Sequence, residues 1–168
     1  MALNAIYLYV DGSCEENRNV TSETPAGWGF CVIEGDSGLG RGHGDLIYEE
    51  SGKVETHSTS KIFLGAEVGS NNTAELSAIA LALRWLLLEG TERPAVIRGD
   101  SQYAMNIANG TWKAKANRDL ASTVQKLWQE VRHIKEIKCE HVRAHRGHRW
   151  NERADHLAFR AMKGNTAL

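Results

Sequence analysis

The chain has 168 residues, a length that suits one domain. With 42% hydrophobic and 24% charged residues it can bury an ordinary core, and no apolar run reaches the roughly 20 residues needed to cross a bilayer. The net charge is −1, from 20 Lys+Arg against 21 Asp+Glu, which excludes a globally basic nucleic-acid binder and leaves only local patches for that role.

The N-terminus lacks the basic region and long apolar stretch of a secretion signal, so a cytoplasmic chain is expected. Cys14, Cys31 and Cys139 form an odd set without metal-site spacing and read as reduced thiols. Residues 4–11 read as a strand, and the polar stretch 15–25 as a loop. Gly27-Trp28-Gly29-Phe30-Cys31-Val32-Ile33 alternates small and large residues, as a strand in an antiparallel sheet does. Two further strands are expected near 44–50 and 60–68, with a glycine-rich turn at 35–42 and a polar connection at 51–59. The clearest helix spans 73–88: Leu76, Ile79, Ala80, Leu83, Leu86 and Leu87 recur at helical spacing, Asn71 or Asn72 can cap it, and Gly90 stops it. A short strand at 95–99 and a short helix at 101–108 follow. A longer helix at 118–134 carries Leu120, Val124, Leu127, Trp128 and Val131 on one face. Then come a strand at 137–142, a loop at 144–150 and a helix to about residue 163. This order implies an α/β architecture with a mixed sheet and helices on both faces.

Four carboxylates stand at the edges of these elements. Asp11 ends the first strand, Glu75 lies in the first turn of the 73–88 helix, Asp100 ends the 95–99 strand, and Asp155 lies on the last helix. Acids at the carboxyl ends of strands point into the crevice where open α/β sheets bind ligands. If the four converge, their repulsion calls for cations, and hard oxygen ligands favour Mg²⁺ or Mn²⁺. A two-metal phosphodiester-cleaving site follows from that set. Blander readings exist for each. Asp11-Gly12-Ser13 can be a turn, Glu75 an acid near a helix N-terminus, and Asp100-Ser101 a capping pair. His145 and His148 flank Arg146-Gly147 and suit proton transfer; a zinc site lacks thiolates and familiar spacing. Trp112, beside Lys113 and Lys115, can pack on nucleic acid or cover a helix end.

The segments Tyr9-Val10-Asp11-Gly12-Ser13-Cys14, Asn71-Asn72-Thr73-Ala74-Glu75-Leu76, Asp100-Ser101-Gln102-Tyr103 and His145-Arg146-Gly147-His148, followed by Asn151-Glu152-Arg153-Ala154-Asp155, occur in order. Taken together, the chain resembles type I ribonuclease H over nearly its full length. The resemblance implies an RNase H-like fold: a five-stranded mixed sheet in the order 3-2-1-4-5, strands 1–3 antiparallel, with helices on both faces. It implies endonucleolytic hydrolysis of the RNA strand of an RNA–DNA hybrid, leaving 3′-hydroxyl and 5′-phosphate ends. Asp11, Glu75, Asp100 and Asp155 would bind two Mg²⁺ ions, with Mn²⁺ a substitute, and His145 would assist turnover. Asn17, Asn71 and Gln102 match strand-contacting positions, some at RNA 2′-hydroxyls. Ser70 and Asn117 match a DNA-phosphate pocket.

Two departures stand out. The basic, tryptophan-rich protrusion of many members is reduced here to residues 109–117, and residues 34–70 are longer than a minimal member needs. With only ten residues before Asp11, no separate hybrid-binding module is expected there, and a monomeric domain over 1–168 is expected. The alternatives are another nuclease on the same fold, such as a resolvase or exonuclease, or a catalytically silent nucleic-acid-binding domain.

Overall fold

The first strand, β1 (Ile6–Cys14), runs past the apolar segment that predicts it and carries Asp11 well inside hydrogen-bonded sheet. The computed structural model describes residues 4–36, 42–143 and 147–164. β2 (Ala26–Glu34) pairs antiparallel with β1, and β3 (Asp45–Lys53) pairs antiparallel with β2. On the other side of β1 lie β4 (Ala95–Gly99) and β5 (Ile137–His141), both parallel. The strand order is β3-β2-β1-β4-β5, the order that the resemblance implies.

Alternation along β1 sorts its side chains between two layers. Ile6, Leu8 and Val10 join the larger core beneath α1 (Asn71–Glu89), α2 (Gln102–Ala108) and α3 (Arg118–Arg132). Tyr9 joins Cys31, Ile33, Trp150 and Ala154 in a smaller core beneath α4 (Arg149–Met162). Helices therefore cover both faces, as expected.

Local chemistry accounts for the limits of α1. Ser70, rather than Asn71 or Asn72, is the N-cap: its Oγ accepts from the Thr73 N–H at 3.1 Å, and Thr73 Oγ1 accepts from the Ser70 N–H at 2.9 Å. This reciprocal pair satisfies two of the backbone donors that a helix start leaves open. Gly90 ends the helix in the left-handed region, at φ 74°.

Two sequence expectations give way. Residues 60–68 form turns, not a strand. Gly65 takes φ 114°, and a Cβ there would lie 2.8 Å from the Leu120 N–H nitrogen, so the chain bends to lie against α3. Leu64 is buried in the larger core, and its carbonyl accepts from Thr123 Oγ1 at 2.7 Å. Burial against helices, not strand pairing, uses its apolar residues. Trp150, expected in a loop, is the second residue of α4 and is buried against Tyr9, Cys31 and Ile33.

Close approach at glycines sets both helix layers. A Cβ on Gly27 would lie 2.4 Å from backbone atoms of Ala158 and Met162, and one on Gly29 would lie 2.8 Å from the Ala158 nitrogen. Alternate glycines on β2 thus let α4 rest directly on the sheet. Arg153 then clamps α4 to the sheet edge through two bonds to Glu49 of β3, at 2.6 and 2.8 Å. On the opposite face, a Cβ on Gly12 would lie 2.5 Å from the Glu75 nitrogen and 2.6 Å from Ala74 Cβ. Gly12 therefore permits the first turn of α1 to meet the strand that carries Asp11. Replacing Gly12→Ala should push α1 off β1 and cost about 1–3 kcal/mol, the usual range for overpacking. Urea unfolding measures it; parental stability would show that the contact relaxes without strain.

Candidate active site

Three of the four sequence-predicted acids converge. One carboxylate oxygen from each of Asp11, Glu75 and Asp100 lies within 4.8 Å of the others. Among the described residues, no other group of three His, Cys, Asp or Glu side chains meets in this way. Asp11 comes from the middle of β1, and Asp100 follows the last residue of the parallel neighbour β4. Glu75 comes from the first turns of α1, the segment that Gly12 lets approach. Asp155 stands outside this 4.8 Å cluster. It is carried by α4, on the face of the sheet opposite α1, and reaches the site through its field on Asp11.

Burial gives the site its electrostatic character. Asp11 is 4% exposed and Glu75 8% exposed. Burial pushes the Asp11 carboxyl up from 3.8 to about 7; the charges of Asp100 and Asp155 push the same way, while hydrogen bonding to Glu75 and the Gly12 N–H opposes them. The Gly12 N–H donates to Asp11 Oδ1 at 2.9 Å. Glu75 is likewise raised well above 4.5, by burial first and then by the negative charge of Asp11. Its Oε2 is buried without a hydrogen-bond partner among the described residues. An orphaned carboxylate oxygen beside two other acids is the environment that a hard divalent cation satisfies, so the donor set fits Mg²⁺ or Mn²⁺.

The other sequence-selected residues fall into two groups. Asn17, Ser70 and Asn71 meet at the start of α1: Asn17 Oδ1 accepts from the Asn71 N–H at 3.2 Å, next to the Ser70 cap. Gln102 opens α2, two residues after Asp100, and is exposed. Trp112 and Asn117 lie in the connection between α2 and α3. Trp112 is 46% exposed. With Lys113, Gln125, Gln129 and His133 it lines an open groove of about 780 Å³. Asn117 occupies the N-cap position of α3 at φ 55°, and its side chain makes no capping bond. His145 lies outside the described residues.

Sequence reasoning missed a second polar cluster, on the α4 face of the same strands. Arg98 and Asp36 form a buried ion pair at 2.9 Å, joined by Tyr9 and His148. The arginine inside the apolar run Ala95-Val96-Ile97-Arg98-Gly99 was a signal for it; Asp36 had none.

No described helix is long and apolar enough to cross a membrane. The RNase H family model matches residues 3–163. A relative from Pseudomonas putida, called Ribonuclease H, is 31% identical over 170 residues, spanning 95% of this chain and 94% of the relative. Among solved structures, RNase H1 from the halophilic archaeon Halobacterium salinarum superposes with a TM-score of 0.67 at 23% identity, covering 95% of this chain and 98% of that one. LC11-RNase H1 in complex with an RNA/DNA hybrid superposes with a TM-score of 0.60 at 23% identity, covering 95% and 97%. A family match over nearly the whole sequence, added to the sheet order and the acidic cluster, leaves one assignment: the chain belongs to the RNase H family of ribonucleases.

Proposed function

We propose that this ribonuclease cleaves the RNA strand of RNA–DNA hybrids endonucleolytically, leaving 3′-hydroxyl and 5′-phosphate ends. The observation that carries the reading is the convergence of Asp11, Glu75 and Asp100 within 4.8 Å across the interior strands β1 and β4 of an RNase H sheet. The hybrid-bound structure of LC11-RNase H1, a protein of the same fold, supports the choice of substrate. Asp11, Glu75 and Asp100, with Asp155 from α4, would hold two Mg²⁺ ions, and Mn²⁺ would substitute. When bound, such ions supply electrophilic catalysis, activating the attacking water and stabilising the leaving 3′ oxygen.

The remaining residues bind and orient. Asn17 and Asn71, already hydrogen-bonded to each other, offer amide groups to the sugar edge of the strand nearest the acids, with Gln102 beyond Asp100. Contacts with 2′-hydroxyls are how such a site tells RNA from DNA. Ser70 and Asn117 serve a DNA phosphate, and Trp112 a sugar or base. His145 moves a proton or helps product leave. The test is cleavage of a labelled hybrid beside duplex DNA, duplex RNA and single strands. Hybrid-only cutting supports the reading; cutting of DNA junctions or of single strands from an end means a different nuclease, and no cutting means a binding domain.

Asp11→Asn should abolish hybrid cleavage yet stabilise the fold in EDTA, since it removes a charge from a buried, mutually repelling set. The expected rise in Tm is about 2–4 °C, equivalent to about 1 kcal/mol at this chain length. Retained cleavage would sink the assignment.

The raised carboxyls also predict a pH signature for the metal-free protein. Asp11 titrates near 3.8 when unfolded and near 7 when folded, so the fold holds its proton more tightly. That contribution is fully present below pH about 4 and is lost as pH rises through about 7. Thermal melts in EDTA should therefore fall across this window, and Asp11→Asn should flatten the fall.

Binding should be strongly salt-dependent and carried by few cations. Lys113, Lys115, Arg118, Arg143 and Arg149 are exposed on a chain with net charge −1, and Arg146 lies outside the described residues. Replacing Lys113 and Lys115 together should flatten the salt slope of hybrid affinity by at most about two units. Titration in Ca²⁺ measures it, and an unchanged slope would remove this loop from the interface.

A further inference from the structure

The acids at the site come from both faces of the sheet, so something must fix α4 against β1 and β4. Tyr9 and Arg98 are register partners in the parallel β1–β4 pair. Tyr9 stands two residues before Asp11 on the same strand face, and Arg98 two residues before Asp100. Both are buried, and the guanidinium stacks 4.3 Å from the Tyr7 ring centroid.

The partners of the His148 ring and of the Tyr9 oxygen define their hydrogen-bond roles. His148 Nδ1 accepts from the backbone N–H groups of Trp150 and Asn151, at 3.3 and 3.4 Å, making this imidazole the N-cap of α4. A nitrogen that accepts carries no proton, so in the neutral ring the proton sits on Nε2. Nε2 lies 3.3 Å from Tyr9 Oη and therefore donates to it. Arg98 donates to the same oxygen at 2.7 Å. The phenol's own proton goes to Asp36 Oδ2 at 2.5 Å, and Asp36 also accepts from Arg98 at 2.9 Å. One donor and two lone pairs are all that a phenol has, and all three are used. Arg98 reaches on to Glu140 of β5 at 2.8 Å. Burial lowers the His148 pKa and so favours the neutral ring. Trp150 adds a bond from Nε1 to the His43 carbonyl at 2.8 Å, tying the long β2–β3 connection to the same helix start.

We infer that Asp36, Tyr9, Arg98 and His148 form a positioning relay that fixes the start of α4, and so the stance of Asp155 towards Asp11 and Asp100. Asp36 and His43, both in the β2–β3 connection, give it a role: it supplies the carboxylate that orients the phenol. The inference rests on Asp155 serving the site as proposed above, and Asp155→Asn tests that reading separately. None of the four relay residues is assigned contact with substrate.

Tyr9→Phe removes the hub oxygen and leaves the Asp36–Arg98 ion pair. It should lower kcat for hybrid cleavage by about 10-fold, below the about 100-fold of a 1 Å misplacement, with KM changed less than about twofold. In the metal-free protein, exchange of the Trp150 and Asn151 amides should quicken by about 10-fold while core amides of α1 keep their rates. His148→Asn supplies a cap that does not need Tyr9, so in that background Tyr9→Phe should cost less than about twofold. Equal quickening of exchange throughout the chain, or a Tyr9→Phe loss that is undiminished in the His148→Asn background, would overturn the inference as a merely structural effect. Faster exchange at α4 with unchanged kcat would overturn its catalytic part. Full activity of Asp155→Asn would instead overturn the reading of that acid, whereas the exchange data test the relay independently of it.

Discussion

Buried like charge is the constraint on which the rest of this molecule depends. Asp11 and Glu75 are almost fully removed from water, and Asp100 joins them within 4.8 Å. Burial raises the pKa of both Asp11 and Glu75, so the cluster opposes folding unless protons or cations relieve it. A surface that only needed to be soluble would spread these acids apart. Three elements are instead locked so that they cannot separate: β1 and β4 by parallel pairing, and α1 by its close seat on Gly12. The stability lost at the site is offset by the large apolar core on the α1 face, where Leu76, Ile79, Leu83 and Leu86 are fully buried.

The two faces of the sheet do different work. The α1 face is almost entirely apolar and supplies cohesion. The α4 face has a smaller core, and much of its order comes from directional bonds: the Asp36–Tyr9–Arg98 triangle, the imidazole cap and the Arg153–Glu49 fork. A buried ion pair gives little net stability against an apolar substitute, because desolvation consumes most of the attraction. What it gives is geometry, since a saturated phenol oxygen tolerates few arrangements of its partners. On this face α4 carries Asp155, whose charge acts on Asp11 from outside the inner cluster.

Much of this was legible before folding. Helical spacing of Leu76, Ile79, Leu83 and Leu86 marked α1, and Gly90 marked its end. Asp11 and Asp100 were conspicuous as charges closing apolar runs. Other features were misjudged for physical reasons. The apolar residues at 62–64 invite a strand, but a strand needs an edge to join, whereas Leu64 found a helix layer, and Gly65 marks the bend. Trp150, Ala154, Leu157, Ala158 and Ala161 already show helical spacing; the polar residues before them hid the start of α4, because a histidine is an uncommon cap.

By itself the sequence determined the order of most elements, the acids at their edges and the family resemblance, because periodicity, turn chemistry and motif order are properties of neighbouring residues. Only the tertiary structure decided which acids meet and which stands off. It also decided that Asp36, 62 residues from Arg98 along the chain, is its buried partner. Nor could the chain alone tell that Gly12 marks a helix contact rather than a turn. Each of these depends on distances between segments remote in sequence, and those are fixed only when both faces of the sheet are packed.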